Sequence, residues 1–102
     1  MKPSIFIADD HPLLLEGLES FLNTKGFKIL GTATDGHTAY NSIVKQKPEI
    51  ALLDIKMPLL SGIDIARKCM QNNIATKIIL ITLYKDEELY FEAKDLNVYG
   101  YL

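Results

Sequence analysis

Three carboxylates stand directly after apolar runs, and their positions decide what chemistry this chain can do. Asp9 and Asp10 follow the run at residues 4–8, and Asp54 follows the run at residues 50–53. Apolar runs without polar alternation are typical of strands buried on both faces of a parallel sheet. Because ligands bind at the carboxyl ends of such strands, the pattern predicts that these acids meet at one edge of a sheet.

Carboxylates that lie close together need a positive partner. Two like charges about 4 Å apart repel by about 4 kcal/mol at an intermediate effective dielectric. Mg²⁺ prefers oxygen ligands, is usually bound through one or two carboxylates, and leaves positions for phosphate. Beside such a metal, Asp54 could act as a nucleophile and form an aspartyl phosphate. The simpler alternative is that Asp9 or Asp10 caps the following helix, which leaves the other acid and Asp54 unexplained.

The elements that must position these acids alternate along the chain. Apolar runs predict strands, and apolar residues at helical spacing predict helices between them. The predicted strands are 4–8, 27–33, 50–54, 77–82 and 98–102, and the predicted helices are 12–25, 37–47, 63–72 and one that begins at 86. The first helix is predicted to bury Leu14, Leu18, Phe21 and Leu22. This alternation implies one α/β domain with a parallel sheet and helices on both faces.

The composition excludes several classes of protein. The formal net charge of the 102 residues is -2, so overall charge does not favour binding to nucleic acid or to an anionic membrane surface. Two acids interrupt the first apolar run before a secretory signal could form, and no apolar run approaches the length of a membrane span. The single cysteine, Cys69, excludes an internal disulfide and fits a reducing compartment. We therefore expect a cytoplasmic protein that makes no contact with membranes.

The order and spacing of these motifs resemble the receiver domain of bacterial two-component response regulators. The resemblance rests on Asp9-Asp10 after the first strand, Asp54 after the third, Met57-Pro58 and Gly62 behind it, Thr82 after the fourth, and Gly100-Tyr101-Leu102 in the fifth. It spans the whole chain. The resemblance implies a flavodoxin-like α/β fold of three layers, with parallel strand order 2-1-3-4-5, and phosphorylation by a partner histidine kinase.

The resemblance also implies a role for each acid. Asp54 would be the phosphoacceptor. Asp10 would bind Mg²⁺ directly, together with Asp54 and the main-chain carbonyl of Lys56. Asp9 would hold a further metal ligand or a metal-bound water. The domain would catalyse only its own phosphorylation and dephosphorylation, and would not be an enzyme acting on other substrates.

Two further residues would form the switch that reads the phosphate. Thr82 would donate a hydrogen bond to the phosphoryl group, and Tyr101 would be the aromatic side chain that moves inward with it. The opening Asp9-Asp10-His11-Pro12, with Glu16-Gly17-Leu18 behind it, is similar to receivers joined to a LuxR-type helix-turn-helix domain. This resemblance implies DNA binding and control of transcription through an output domain outside this chain.

One feature departs from the family's pattern. Receiver domains carry a lysine a few residues after the Gly-Tyr-Leu stretch, and this chain ends at Leu102 before that place. We interpret residues 1–102 as a C-terminally incomplete receiver domain that lacks the fifth helix. A degenerate receiver that acts only as a protein-interaction module is the alternative. With that helix missing, one face of residues 78–81 would be bare, so we expect a homodimer or another protein contact there.

Two other classes with the same order of elements fit the residues less well. A flavodoxin would need a Ser/Thr/Gly-rich phosphate loop after the first strand, where this chain has two acids followed by His11 and Pro12. An aspartate-nucleophile phosphatase would have its catalytic acid after the first strand and would leave Asp54 unexplained. We expect His11 to lie on the rim of the site rather than to act as a metal ligand or base.

Overall fold

The predicted sheet and its strand order are present in the computed structural model, which describes residues 2–81 and the backbone of 98–101. The strands are β1 (Ser4–Ala8), β2 (Lys28–Ala33), β3 (Ile50–Asp54), β4 (Lys77–Ile81) and β5 (Val98–Tyr101), and the helices are α1 (Pro12–Thr24), α2 (Gly36–Gln46) and α3 (Gly62–Gln71). All strand pairs are parallel, in the order β2-β1-β3-β4-β5. The flavodoxin-like fold is therefore confirmed. The predicted fourth helix lies outside the described residues.

Two hydrophobic clusters cover opposite faces of this sheet. The larger cluster joins Phe6 of β1 with Ile43 of α2 and Ile65 of α3. The smaller cluster packs Ile7 of β1 against Leu15 of α1. Because successive side chains of a strand point to opposite faces, a strand between two helical layers needs apolar residues at every position. This packing explains the unbroken apolar runs in the sequence.

The buried face of α1 differs from the predicted one at Phe21. Leu15 is buried and Leu18 and Leu22 are packed against the smaller cluster, whereas Phe21 is 57% exposed. The Lys25 ammonium lies 5.4 Å from the centre of the Phe21 ring, which is a cation–π contact at the helix surface. The prediction that Phe21 is buried was therefore wrong, and Leu15 takes its place in the core.

The apolar run of β4 divides between the two faces of the sheet. Ile78 and Leu80 are buried in the larger cluster, with 3% and 0% exposure. Ile79 and Ile81 alternate with them and are only half-buried. Of the four residues 78–81, one face of which was predicted to be uncovered, only Ile79 and Ile81 are partly exposed. A protein contact over these two side chains stays a prediction. In the part of the chain that is described, no helix is long and apolar enough to cross a bilayer.

Candidate functional site

The carboxyl edge of the two central strands brings the acids together. β1 and β3 are neighbours, with Ala8 opposite Leu53, so the residues that follow them lie at the same edge. One oxygen each of Asp9, Asp10 and Asp54 and one ring nitrogen of His11 lie within 4.8 Å of one another. The structure therefore forms the acidic cluster that the sequence pattern predicted.

The acids of this cluster differ in burial and in hydrogen bonding. Asp9 is 1% exposed and Asp54 is 8% exposed, whereas Asp10 lies at the exposed rim. The main-chain N–H of His11 donates to Oδ1 of Asp9 over 2.8 Å, and that of Lys56 donates to Oδ1 of Asp54 over a longer 3.3 Å. A buried carboxylate is costly unless donors or cations surround it, so Asp54 is the acid with the greater need for a positive partner.

The pKa of Asp54 reflects this need. Burial of the carboxyl and, next to it, the neighbouring charge of Asp9 together raise its pKa to about 6, while the hydrogen bond from the N–H of Lys56 acts in the opposite direction. At neutral pH the group is still mostly ionised, as a carboxylate nucleophile must be. The ionised carboxylate of Asp54 is thus destabilised by its burial and by the charge of Asp9. A bound cation would offset this destabilisation.

His11 lies both on the rim and inside the cluster. Its side chain is half exposed, as expected for a rim residue, yet its Nδ1 lies 3.0 Å from an oxygen of Asp9, 3.0 Å from one of Asp10 and 3.7 Å from one of Asp54. The hydrogen bond with Asp9 and the charge of Asp10 raise the pKa of His11. Sequence reasoning placed His11 at the mouth of the site but did not predict this contact with all three acids.

The simpler interpretation of the first two acids as helix caps does not describe this geometry. His11 is the N-cap residue of α1, and its side chain makes no cap hydrogen bond. The Asp9 carboxylate accepts from the N–H of His11 itself. Pro12 at the first position of α1 lacks an N–H, which removes one of the donors that a cap would satisfy. A capping role therefore does not account for both acids, which lie in one cluster with Asp54.

Hydrogen bonds hold both ends of the loop after β3, residues 55–61, in place. The N–H of Gly62 donates to the carbonyl of Ile55 over 2.8 Å. Ser61 and Asp64 form a capping box at the start of α3, in which each side chain accepts a hydrogen bond from the other's main-chain N–H. We name residues 55–61 the acceptor loop, because it carries the main chain of Lys56 past Asp54.

Gly62 allows α3 to begin directly against the strand that carries Asp54. A Cβ at this position would lie 2.5 Å from the carbonyl oxygen of Asp54 and 3.0 Å from Cδ2 of Leu80. We expect Gly62→Ala to lower the free energy of unfolding by about 2–4 kcal/mol, because backbone must move to admit the methyl group. Urea unfolding followed by far-UV circular dichroism measures this loss.

Gly17 provides the matched control for that substitution. It lies in α1, and a Cβ there would meet nothing within 4 Å. Gly17→Ala should therefore leave the chain as stable as before or more stable by about 0.5–1 kcal/mol, because alanine has the higher helix propensity. If both variants had equal stability, the close approach of α3 to Asp54 would not be the cause.

The remaining predicted site residues are described only in part. The side chain of Lys56 is exposed, as expected, while its main chain runs beside Asp54. Tyr101 lies in β5 and pairs with Leu80 of β4, and only its backbone is described. Thr82 follows the last described residue of β4 and lies outside the described residues. The roles of Thr82 and Tyr101 in a switch stay predictions.

The raised pKa of Asp54 predicts a pH-dependent stability when no divalent cation is bound. An unfolded aspartate titrates near pH 3.9 and folded Asp54 near pH 6. Between these values the folded state binds more protons than the unfolded state, so the free energy of unfolding falls as pH rises from about 4 to about 6. Asp54→Asn removes this titration. In EDTA, we expect the variant to match the parent near pH 4 and to exceed it by about 1 kcal/mol at pH 7.

Urea unfolding at a series of pH values checks this expectation. Asp64→Asn is the control, because Asp64 lies in the capping box of α3 and its amide oxygen can still accept the cap hydrogen bond. The same pH slope in the parent chain and in Asp54→Asn would contradict the raised pKa.

The donor set fits a hard divalent cation. Carboxylate and carbonyl oxygens suit Mg²⁺, and the cluster offers oxygens of Asp9, Asp10 and Asp54 within one small space. The high pKa of Asp54 indicates that its hydrogen bonds do not offset its burial. A cation bound among these oxygens would offset the negative charge of the three carboxylates.

Comparison with known proteins extends the likeness over nearly the whole chain. A family model described as "Response regulator receiver domain" matches residues 5–102. Among curated proteins, an uncharacterized transcriptional regulatory protein of Bacillus subtilis, YxjL, is 35% identical over 102 residues. That match covers 99% of this chain and 47% of the relative, so the chain spans about half of that protein's length.

Solved structures give the same result. The signal receiver domain of the putative response regulator NarL from Mycobacterium tuberculosis has a TM-score of 0.95 and 30% identity, covering 99% of this chain and 82% of that one. A DNA-binding response regulator of the LuxR family from Staphylococcus aureus has a TM-score of 0.95 and 26% identity, covering 98% of this chain and 84% of that one. Sheet, helices and acidic cluster therefore all lie within the matched region.

Proposed function

Since this chain belongs to the response regulator receiver domain family, we propose that it is the phosphoacceptor switch of a two-component system, phosphorylated on Asp54 by a sensor histidine kinase. The observation that carries the proposal is the nearly buried carboxylate of Asp54, clustered with Asp9 and Asp10 at the carboxyl edge of the sheet. In this position the nucleophile is largely shielded from water but open to a donor at the rim.

The transfer balances with the groups that this chain and the kinase supply. An oxygen of Asp54 attacks the phosphorus of a phosphohistidine, and a P–O bond forms as the P–N bond breaks. The electron pair of the broken bond passes to the imidazole nitrogen, which then binds a proton. Hydrolysis of the aspartyl phosphate later returns the carboxylate and releases inorganic phosphate. Because this cycle changes the domain itself, we infer a regulatory domain and not an enzyme that acts on other substrates.

Four groups of this chain are proposed to hold Mg²⁺. Asp10, Asp54 and the main-chain carbonyl of Lys56 would be direct ligands, and Asp9 would hold a metal ligand. When bound, Mg²⁺ supplies positive charge that offsets the acids and the incoming phosphoryl group. Asp9 is suited to a positioning role because it is buried and fixed by the N–H of His11. Asp10 lies at the exposed rim, where a cation could reach it from solvent.

The proposed readout of phosphorylation uses Thr82 and Tyr101. Phosphorylation replaces the single negative charge of the Asp54 carboxylate with an acyl phosphate that carries up to about two. The main chain of Asp54 pairs with Ile81, immediately before Thr82. Thr82 would donate a hydrogen bond to a phosphoryl oxygen, and the ring of Tyr101 would move inward as Thr82 moves. The surface beside β4 and β5 would then differ between the two states, which is what a partner would recognise.

The proposed output is control of transcription in the cytoplasm. The LuxR-family structure from Staphylococcus aureus is described as DNA-binding, and the Bacillus subtilis relative as a transcriptional regulatory protein. We infer that this chain acts on DNA through a LuxR-type helix-turn-helix domain. We also propose a homodimer or another protein contact over Ile79 and Ile81. Sedimentation analysis that found only monomers would count against the homodimer.

A degenerate receiver that only binds partners is the second candidate. Intact acids at positions 9, 10 and 54 favour a working site over this alternative. Phosphoramidate, a small donor with the P–N bond of phosphohistidine, separates the two. Intact-protein mass should rise by one phosphoryl group when the chain is incubated with phosphoramidate and Mg²⁺, and should not rise in EDTA. No gain with Mg²⁺ in this chain or in one extended past Leu102 would favour the interaction module.

A further inference from the structure

The acceptor loop touches the turn between β2 and α2, and the contact leaves no room for a side chain. The N–H of Gly36 donates to the carbonyl of Pro58 over 3.0 Å. A Cβ on Gly36 would lie 1.8 Å from the carbonyl oxygen of Leu60 and 2.6 Å from its Cβ. Gly36 is buried, and only glycine fits at this distance.

The Pro58 carbonyl also closes a strained turn within the acceptor loop. It accepts a second hydrogen bond, from the N–H of Leu60, over 2.9 Å. Leu59 stands between them with a φ of 72° and a side chain that is 77% exposed. A three-residue turn with positive φ at its centre is rare and strained, and such strain persists only where the surroundings impose it. The exposed Leu59 side chain offers little such support, whereas the buried contact with Gly36 does.

The other side of the contact is rigid. Asp35 is the N-cap of α2, and its carboxylate accepts from the N–H of Thr38 over 2.7 Å and from its hydroxyl over 2.9 Å. These bonds lower the pKa of Asp35, so the cap is charged at neutral pH. The Asp35 carbonyl in turn accepts from the N–H of Ala39. The first turn of α2 thereby fixes where the N–H of Gly36 points.

We propose that Gly36 is a positioning residue for the acceptor loop: its N–H and its missing side chain hold the strained turn at Leu59 and so set the main chain of Lys56 beside Asp54. This inference rests on the proposed function, because it concerns how the Mg²⁺ and phosphoacceptor site is kept in shape. The contact also links that site to α2, because a movement of the acceptor loop would change the hydrogen bond between Pro58 and Gly36 at the start of this helix. Coupling of this kind is reciprocal for binding free energies.

Gly36→Ala tests the proposal on the whole chain. The methyl group must push the acceptor loop away, so we expect Mg²⁺ affinity to fall at least tenfold by isothermal titration calorimetry, with far-UV circular dichroism unchanged. Gly17→Ala, at an open site in α1, should bind Mg²⁺ as the parent chain does. A folded Gly36→Ala variant with parental Mg²⁺ affinity would overturn the inference.

Hydrogen exchange on the unaltered chain provides a second test that does not depend on folding of the variant. Mg²⁺ should slow exchange of the Gly36 and Leu60 amides at least threefold, although neither residue is a proposed ligand. The Lys47 amide, bonded to Ile43 at the far end of α2, should not change. Equal exchange at Gly36 with and without Mg²⁺ would overturn the inference while leaving the proposed function intact. If the parent chain bound no Mg²⁺ at all, the proposed function would fail and this inference with it.

Discussion

Replacement of Asp54 by Asn is expected to reduce phosphorylation of the chain by at least 100-fold. The amide of Asn lacks the anionic oxygen that attacks phosphorus, while its size and its capacity to accept the Lys56 N–H are retained. Asp9 and Asp10 lie in the same cluster, but Asp9 is engaged by the N–H of His11 and Asp10 lies at the rim. The initial rate of phosphoryl gain from acetyl phosphate and Mg²⁺, followed by intact-protein mass, measures the loss.

Asp64→Asn is the matched control for this experiment. It makes the same chemical change at a carboxylate of the capping box of α3, whose amide oxygen can still accept the N–H of Ser61. Its labelling rate should stay within twofold of the parent rate. Labelling of Asp54→Asn at the parent rate would exclude Asp54 as the acceptor, and equal losses in both variants would indicate a general effect of charge.

The second large effect is expected on metal binding. Asp10→Asn removes one negative charge from a cluster whose ligand atoms lie within 4.8 Å of one another. At an effective dielectric of about 20, a unit charge pair about 4 Å apart interacts by about 4 kcal/mol, and partial exposure of Asp10 reduces this. We therefore expect Mg²⁺ affinity to fall by about 30- to 100-fold, measured by isothermal titration calorimetry at constant ionic strength.

Glu16→Gln controls for the loss of one negative charge. Glu16 is exposed on α1, the helix that follows Asp10, and its removal should change Mg²⁺ affinity by less than about twofold because salt screens exposed charges. If Asp10→Asn and Glu16→Gln weakened Mg²⁺ binding equally, net charge and not ligation would explain the effect. That outcome would remove Asp10 from the site.

The fold and the acidic cluster were predictable because they follow from patterns local in sequence. β3 lies between two helical layers, so its residues form a continuous apolar run, and Asp54 marks the point where that run meets solvent. Neighbouring parallel strands end at one edge, which brought Asp9 and Asp10 to the same place. The individual roles of Asp9, Asp10 and Asp54 came from the resemblance to receiver domains, because composition and periodicity do not distinguish a phosphoacceptor from a metal ligand.

The features that could not be predicted depend on contacts between distant segments. Phe21 fits the periodicity of α1, yet only the packed structure shows that Leu15 faces the sheet and Phe21 faces Lys25. Gly36 lies between the predicted strand 27–33 and the predicted helix 37–47, but nothing in the sequence showed that Pro58 and Leu60 lie against it. His11 was placed at the mouth of the site by its position after two acids. Its contact with the three carboxylates depends on a side-chain orientation that cannot be read from the sequence pattern.

The most direct test of the account is to locate the phosphate on the chain. After incubation with acetyl phosphate and Mg²⁺, borohydride reduction converts a phosphorylated aspartate to homoserine, which peptide mass spectrometry assigns to one position. The account predicts homoserine at position 54 alone, with none in a sample treated in EDTA. Homoserine at position 9 or 10, or its absence from every peptide of a Mg²⁺-treated sample, would contradict it.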